Sequence, residues 1–258
     1  METPRLKQLR EYQPFLHQLL QLTVAHHEFS STPDLPQVYS ETQKVVTILN
    51  HSTPLSWLPA VSLLVEKVCA QGGGARVPVS VMDRFFFNTP MLKTLAEYLT
   101  QFNALPSFDS ILSRKDTGIT DVAIFPEGSN CFFGRGERIQ PFRSPRFIEL
   151  ALKMNAKIFL VVHRGSEDWA LPLNFSEVFL PFQALLPGWF NEKVKRGGYF
   201  MIPTLPKKIS VFRMMGEIYQ PSLTLDTLSD NRATRKAQLW AETEIVRSRM
   251  QGMFDSLA

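Results

Sequence analysis

The chain has 258 residues, 44% of them hydrophobic, which is enough to bury the core of one α/β domain or two small ones and leaves little room for long disorder. Its 28 basic and 24 acidic residues give a formal charge of +4, far from the clustered charge of a nucleic-acid binder and better suited to an anionic membrane surface or an acidic ligand. Cys69 and Cys131 have no metal-ligand spacing and are expected as reduced thiols in a cytosolic protein. The opening residues, charged and mixed, predict no signal peptide. The apolar stretches from Trp57 to Ala70 and from Ile148 to Val162 are interrupted by Glu66, Lys67, Glu149, Lys153 and Lys157, so any membrane contact is expected to be peripheral.

Between Leu6 and Phe29, the residues Leu9, Tyr12, Phe15, Leu16, Leu19, Leu20 and Leu22 fall at mostly helical spacing. One or two amphipathic helices are predicted there, packed on the core or lying on lipid, up to the break at Ser30-Ser31-Thr32-Pro33. Lys44 to Leu49 reads as a buried strand that runs into Asn50-His51-Ser52-Thr53-Pro54 and a helix from Ser56 to Gln71. The unit recurs, with a strand over Val77 to Met82, a helix over Met91 to Phe102, and a strand from Asp121 to Phe125 that ends in a polar turn. Phe147, Leu150, Ala151 and Met154 mark a further helix, and Lys157 to Val162 a further strand. This alternation predicts an α/β fold with a largely parallel sheet flanked by helices. Ligands of such sheets sit at the carboxyl ends of the strands, which singles out the turns after Leu49 and Phe125.

From Leu171 to Pro206 the texture is aromatic and Pro-rich, with Phe179, Phe182, Trp189, Phe190, Tyr199 and Phe200 around Lys193, Lys195 and Arg196. It is either an insertion that roofs the core or a membrane-facing surface with aromatic and basic anchors. Ile209 to Phe212 reads as a late strand, and Asn231 to Leu257 as a terminal helix. The expected division is an N-terminal helical segment at 1–35, the α/β domain at 36–221 and a C-terminal helix at 222–258 packed on it.

His51, at a strand end before a helix, is placed to take a proton from an attacking hydroxyl. Phe125-Pro126-Glu127-Gly128-Ser129 sets a carboxylate and a glycine at the mouth of a second strand, followed by Arg135, Arg138, Arg143 and Arg146. Taken singly, these are an ordinary histidine, an ordinary turn and a solvated basic face. No GxSxG is present for a serine hydrolase, and Gly72-Gly73-Gly74 lacks the Lys and Ser of a phosphate loop.

In combination and order, Asn50-His51, Phe125-Pro126-Glu127-Gly128-Ser129, Pro141-Phe142-Arg143, the helix from Arg146, the strand to Val162 and Met215-Gly216-Glu217-Ile218-Tyr219 resemble the glycerolipid acyltransferase superfamily. The likeness runs from about Val45 to Pro221. It implies transfer of a fatty acyl group from acyl-CoA or acyl carrier protein to a lipid hydroxyl, as in phospholipid biosynthesis, with the thioester as substrate and neither cofactor nor metal. It makes His51 the general base, with Ser56 and Glu127 beside it in the catalytic set. Asn50, Phe125, Pro126, Gly128, Ser129, Arg135, Arg138 and Arg143 are then expected to hold substrate, at the cytoplasmic face of a membrane and without nucleic acid.

The chain departs from the family pattern at three places. Ser56 stands where the family has an Asp, and a hydroxyl supports an imidazolium without a charge. Asn130 stands where an Arg follows the Phe-Pro-Glu-Gly turn, and the segment from Asn103 to Asp109 lacks the other phosphate-associated arginine. A catalytically impaired protein that binds lipid or acyl chains is therefore the alternative. His163 and Asp168 repeat the family's His-to-Asp spacing, but they follow the Phe-Pro-Glu-Gly turn and are not expected to be catalytic.

Overall fold

The structure, a computed structural model, describes residues 5–40, 42–82, 84–88, 90–114, 118–134, 136–174, 188–204 and 207–258. Strands are β1 (Val24–Thr32), β2 (Lys44–Leu49), β3 (Pro78–Val81), β4 (Asp121–Ile124), β5 (Ala156–Arg164), β6 (Ala170–Asn174), β7 (Tyr199–Pro203) and β8 (Ile209–Tyr219). The helices are α1 (Leu9–Thr23), α2 (Leu35–Val38), α3 (Trp57–Ala70), α4 (Arg84–Asn88), α5 (Pro90–Thr100), α6 (Phe108–Leu112), α7 (Arg146–Met154), α8 (Gly188–Gly197) and α9 (Arg232–Asp255). Six strands form one sheet in the order β1-β8-β5-β2-β4-β3. β2, β3, β4 and β5 are mutually parallel, β8 is antiparallel to β5, and β1 is parallel to β8. The fold is thus α/β, with a mostly parallel sheet covered by helices.

Period-two alternation sorts the central strands between two cores. Val45, Leu49, Phe159 and Val161 pack with Leu16 and Leu20 of α1 and with Ala60 and Leu63 of α3. Val46, Ile48, Ile158 and Leu160 pack with Phe147 and Leu150 of α7 and with Val246 and Met250 of α9. Buried on both faces, β2 reads as the near-continuous apolar run of a central parallel strand, broken only by Thr47, whose hydroxyl pairs with that of Tyr39 at 2.9 Å; burying each apolar side chain contributes about 1.5–3 kcal/mol.

Two expectations about the ends of the chain change. Helical phase holds through Leu9, Tyr12, Leu16, Leu20 and Val24, all buried, but the next turn would need apolar residues where His27 and Glu28 stand. α1 therefore stops at Thr23, whose hydroxyl donates to the Leu19 carbonyl at 2.7 Å. Residues 24–32 become a strand of the main sheet rather than the rest of a helical segment. Phe15 and Leu22, expected on the apolar face, are exposed. The late strand β8 runs past Phe212 to Tyr219, because Gly216 lets the Phe159 ring of β5 lie where a Cβ would otherwise sit.

β6 and β7 form a separate antiparallel ribbon, with α8 preceding β7. Phe190 and Phe200 pack on Phe133 just beyond the Phe-Pro-Glu-Gly turn, as a roof would. Phe179 and Phe182 lie outside the described residues, as do the side chains of Trp189, Lys195 and Arg196. Among the described residues no helix is long and apolar enough to cross a membrane.

Candidate active site

β2 and β4 are neighbours running the same way, so the turns after Leu49 and after Ile124 emerge side by side at the carboxyl edge of the sheet. Phe125 to Gly128 closes a turn in which the Gly128 N–H donates to the Phe125 carbonyl at 3.1 Å, with Pro126 and Gly128 at the positions such a turn favours. The turn aims Glu127 inward, where it is fully buried. Its Oε2 accepts the His51 N–H at 2.5 Å and its Oε1 accepts the Gln140 N–H at 2.7 Å. One carboxylate thereby joins the His51 turn, the Phe-Pro-Glu-Gly turn and the following loop. That loop seats itself with Gly136, at φ +74°, against the Ser52 carbonyl, an approach that any Cβ would prevent.

The His51 ring lies 4.5 Å from the Phe125 ring, centroid to centroid. Its Nδ1 is buried without a well-formed hydrogen bond. Burial holds the imidazole down to about 4, against a weak opposing pull from the Thr53 main chain, so the free-base form prevails at neutral pH. Burial pushes the Glu127 carboxyl up to about 8, against the stabilising N–H groups of His51 and Gln140.

Ser56 sits in the position expected of the imidazole's partner, yet its buried hydroxyl donates to the Thr53 carbonyl at 2.8 Å rather than meeting the imidazole. Asn50, expected to contact substrate, is buried, and its amide mimics a further peptide of the β2–β5 ladder. Oδ1 accepts the His163 N–H at 2.9 Å and Nδ2 donates to the His163 carbonyl at 3.3 Å. Glu127, expected in the catalytic set, accepts hydrogen bonds from two main-chain N–H groups, those of His51 and Gln140. His163 is fully buried, its ring stacked on Phe212.

Of the expected substrate contacts, Phe125 lines His51, and Pro126 is buried with its carbonyl accepting the Arg143 N–H at 2.8 Å. Gly128 adopts φ +51° under the Arg143 side chain, whose Cδ would stand 2.9 Å from a Cβ. Arg143 and Arg138 are exposed, and Arg135 lies outside the described residues. Asn130 gives its amide to the Pro141 carbonyl at 2.7 Å. Lys193 of α8, from the segment read as either a roof or a membrane-facing surface, donates to the Ser129 hydroxyl at 3.2 Å and lies over the Phe133 ring. It is far from the turn in sequence, and its only advance signal was the basic texture of its segment.

An open concavity of about 670 Å³ at the α1–β1 junction is lined by Gln18, Gln21, Leu22, Val24, Ala25 and Lys208, none of them a site candidate. Among the described residues, no group of three or more His, Cys, Asp and Glu side chains is placed to hold a metal ion.

No protein-family model matches the chain, and no curated protein matches its sequence. Among solved structures it is similar to the 1-acyl-sn-glycerophosphate (LPA) acyltransferase PlsC from Thermotoga maritima, with a TM-score of 0.46 and 11% identity over 95% of this chain and 80% of that chain.

Proposed function

We propose that the protein transfers a fatty acyl group from an acyl-CoA or acyl carrier protein thioester to a hydroxyl of a glycerolipid-type acceptor. The observation that carries this reading is the bond from the His51 N–H to Glu127 Oε2, because it makes a single site of the two motifs on which the sequence resemblance rests. His51 Nε2 takes the acceptor's hydroxyl proton as the oxygen attacks the thioester carbonyl. The new C–O bond forms, the C–S bond breaks, and the departing sulfur recovers the proton from the imidazolium. Without a carboxylate at Nδ1 the imidazole is a weak base, and turnover is slow. Arg143 and Lys193, on either side of the Gly128-Ser129 turn, supply the positive charge that Asn130 does not.

The protein works at the cytoplasmic face of a membrane, held peripherally. Leu171 and Ile202 support this, as they face each other on the β6–β7 ribbon and are both exposed. Purified protein offered acyl-CoA and acyl carrier protein donors with a panel of neutral and phosphorylated lysolipids tests the reading by mass spectrometry. Acylated product that depends on His51 supports it. The lack of a carboxylate partner for the imidazole at position 56 favours one other reading, a lipid or acyl-chain binder without turnover. Saturable acyl-chain binding with no product from any donor is the outcome that would establish it.

A further inference from the structure

The peptide joining Asn50 to His51 lies just past the last ladder partners of β2, Ile48 with Ile124 and Leu49 with Val161. Rotation about ψ of Asn50 and φ of His51 would turn this planar unit and sweep the imidazole with it. Both of its polar ends are held. His163 Nε2 donates to the Asn50 carbonyl at 2.8 Å, and the His51 N–H donates to Glu127 Oε2 at 2.5 Å. The carbonyl and N–H of a trans peptide point opposite ways, so a buried histidine and a buried glutamate grip the unit from its two sides. The rest of His163 is fixed in turn, its main chain by the Asn50 amide and its ring by Phe212 at 5.3 Å between centroids. Its Nδ1 is buried and has no hydrogen-bond partner, so the single N–H of the neutral ring is committed to the Asn50 carbonyl.

We propose that His163 is a positioning residue for His51, clamping the Asn50–His51 peptide together with Glu127 so that the imidazole stands in one place. The proposal rests on the reading of His51 as general base, and it gives a role to a histidine whose spacing to Asp168 carries no chemistry. A displacement of about 1 Å at a reacting group costs on the order of 10²-fold in rate.

The test compares the wild type with His163→Phe, which keeps a flat ring against Phe212 but loses the donor, and with His163→Gln, whose amide nitrogen reaches near the Nε2 position. His163→Asn, whose amide is too short to reach the carbonyl, is the second variant without a donor at that carbonyl should the Phe variant fail to fold. Acyl transfer is expected to fall about 10²-fold in kcat with KM little changed in the donor-free variants, and to be largely restored in His163→Gln. Hydrogen exchange of the His51 amide is followed in the same proteins, with protection like that of the β2 amides expected in the wild type and lost without the donor. Wild-type kcat in a folded donor-free variant, or a wild-type His51 amide that exchanges as fast as exposed loop amides, overturns the proposal. If the wild type transfers no acyl group, the acyltransferase reading fails while the exchange comparison still decides the clamp.

Discussion

Asp121 and Glu127 are buried carboxylates at opposite ends of β4, and the fold treats them differently. At the amino edge Arg76 meets Asp121 with two bonds, Nε to Oδ2 at 2.7 Å and Nη2 to Oδ1 at 2.5 Å, and its remaining N–H groups reach the Ser40 and Gln43 carbonyls. Burial pushes the Asp121 carboxyl up and the guanidinium pulls it back. At the carboxyl edge Glu127 receives two main-chain N–H groups at its oxygens. Among the described residues, five buried side-chain polar atoms lack a well-formed partner, and His51 Nδ1, Thr53 Oγ1 and His163 Nδ1 cluster at this edge. One end of the sheet spends its polar groups on holding the fold, while the other keeps capacity unmet, as a reacting site does.

The largest expected effect breaks the saturated end. Arg76→Ala strands a buried carboxylate and should lower stability by about 3–5 kcal/mol in urea melts, leaving the chemistry of any protein that remains folded intact. A loss below about 1 kcal/mol would remove the contrast between the two edges.

Next in size is the pH dependence. His51 and His163 are held down to about 4 and about 3 from 6.5, so between pH 6.5 and those values the unfolded chain takes up protons that the folded chain refuses. The contribution of the two histidines is therefore complete above pH 6.5 and falls as the medium acidifies, by roughly 1.4 kcal/mol per pH unit for fully buried His163 and by less for partly exposed His51, which water screens. Glu127, raised from 4.5 to about 8, acts in the opposite sense, stabilising below pH 4.5 and losing that contribution as pH rises to 8. Melts across this range should show a shallower acid limb in His163→Gln and less loss above pH 6.5 in Glu127→Gln. Curves parallel to the wild type would contradict the burial assigned to these groups.

Smaller effects sharpen the comparison within the site. Ser56→Asp offers Nδ1 the carboxylate it lacks and should raise transfer about tenfold while moving the His51 titration from about 4 toward neutrality. An unchanged titration would mean that position 56 does not reach the imidazole. Gly128→Ala must keep φ +51° and push Arg143 aside, with an expected cost of about 1 kcal/mol and a raised KM for an anionic substrate. An unaltered KM would remove Arg143 from substrate binding.

The sequence exposed what depends on local pattern. Val45, Val46, Ile48 and Leu49 announced a buried strand, and the order of the Asn-His and Phe-Pro-Glu-Gly turns picked out two segments that the structure brings together through one carboxylate. Partnerships across long sequence separations were not legible. Nothing near Asn50 announces that its amide is used by His163, or that Lys193 comes to Ser129. Ser56 misled because spacing shows that a side chain is near in sequence, while its hydroxyl was already committed to the Thr53 carbonyl one turn back. β1 was hidden because the apolar phase of α1 extends one residue into it, to Val24.

Acyl transfer through His51 is the activity proposed for the carboxyl edge of the sheet. Its most direct test is the rate of acylated lipid formation from a thioester donor by wild type and by His51→Ala, with matched thermal melts showing that both are folded. Measurable transfer is expected in the wild type, constant above about pH 5 as the imidazole stays neutral, with a loss of at least about 10²-fold in His51→Ala. Equal rates in the two proteins would contradict it.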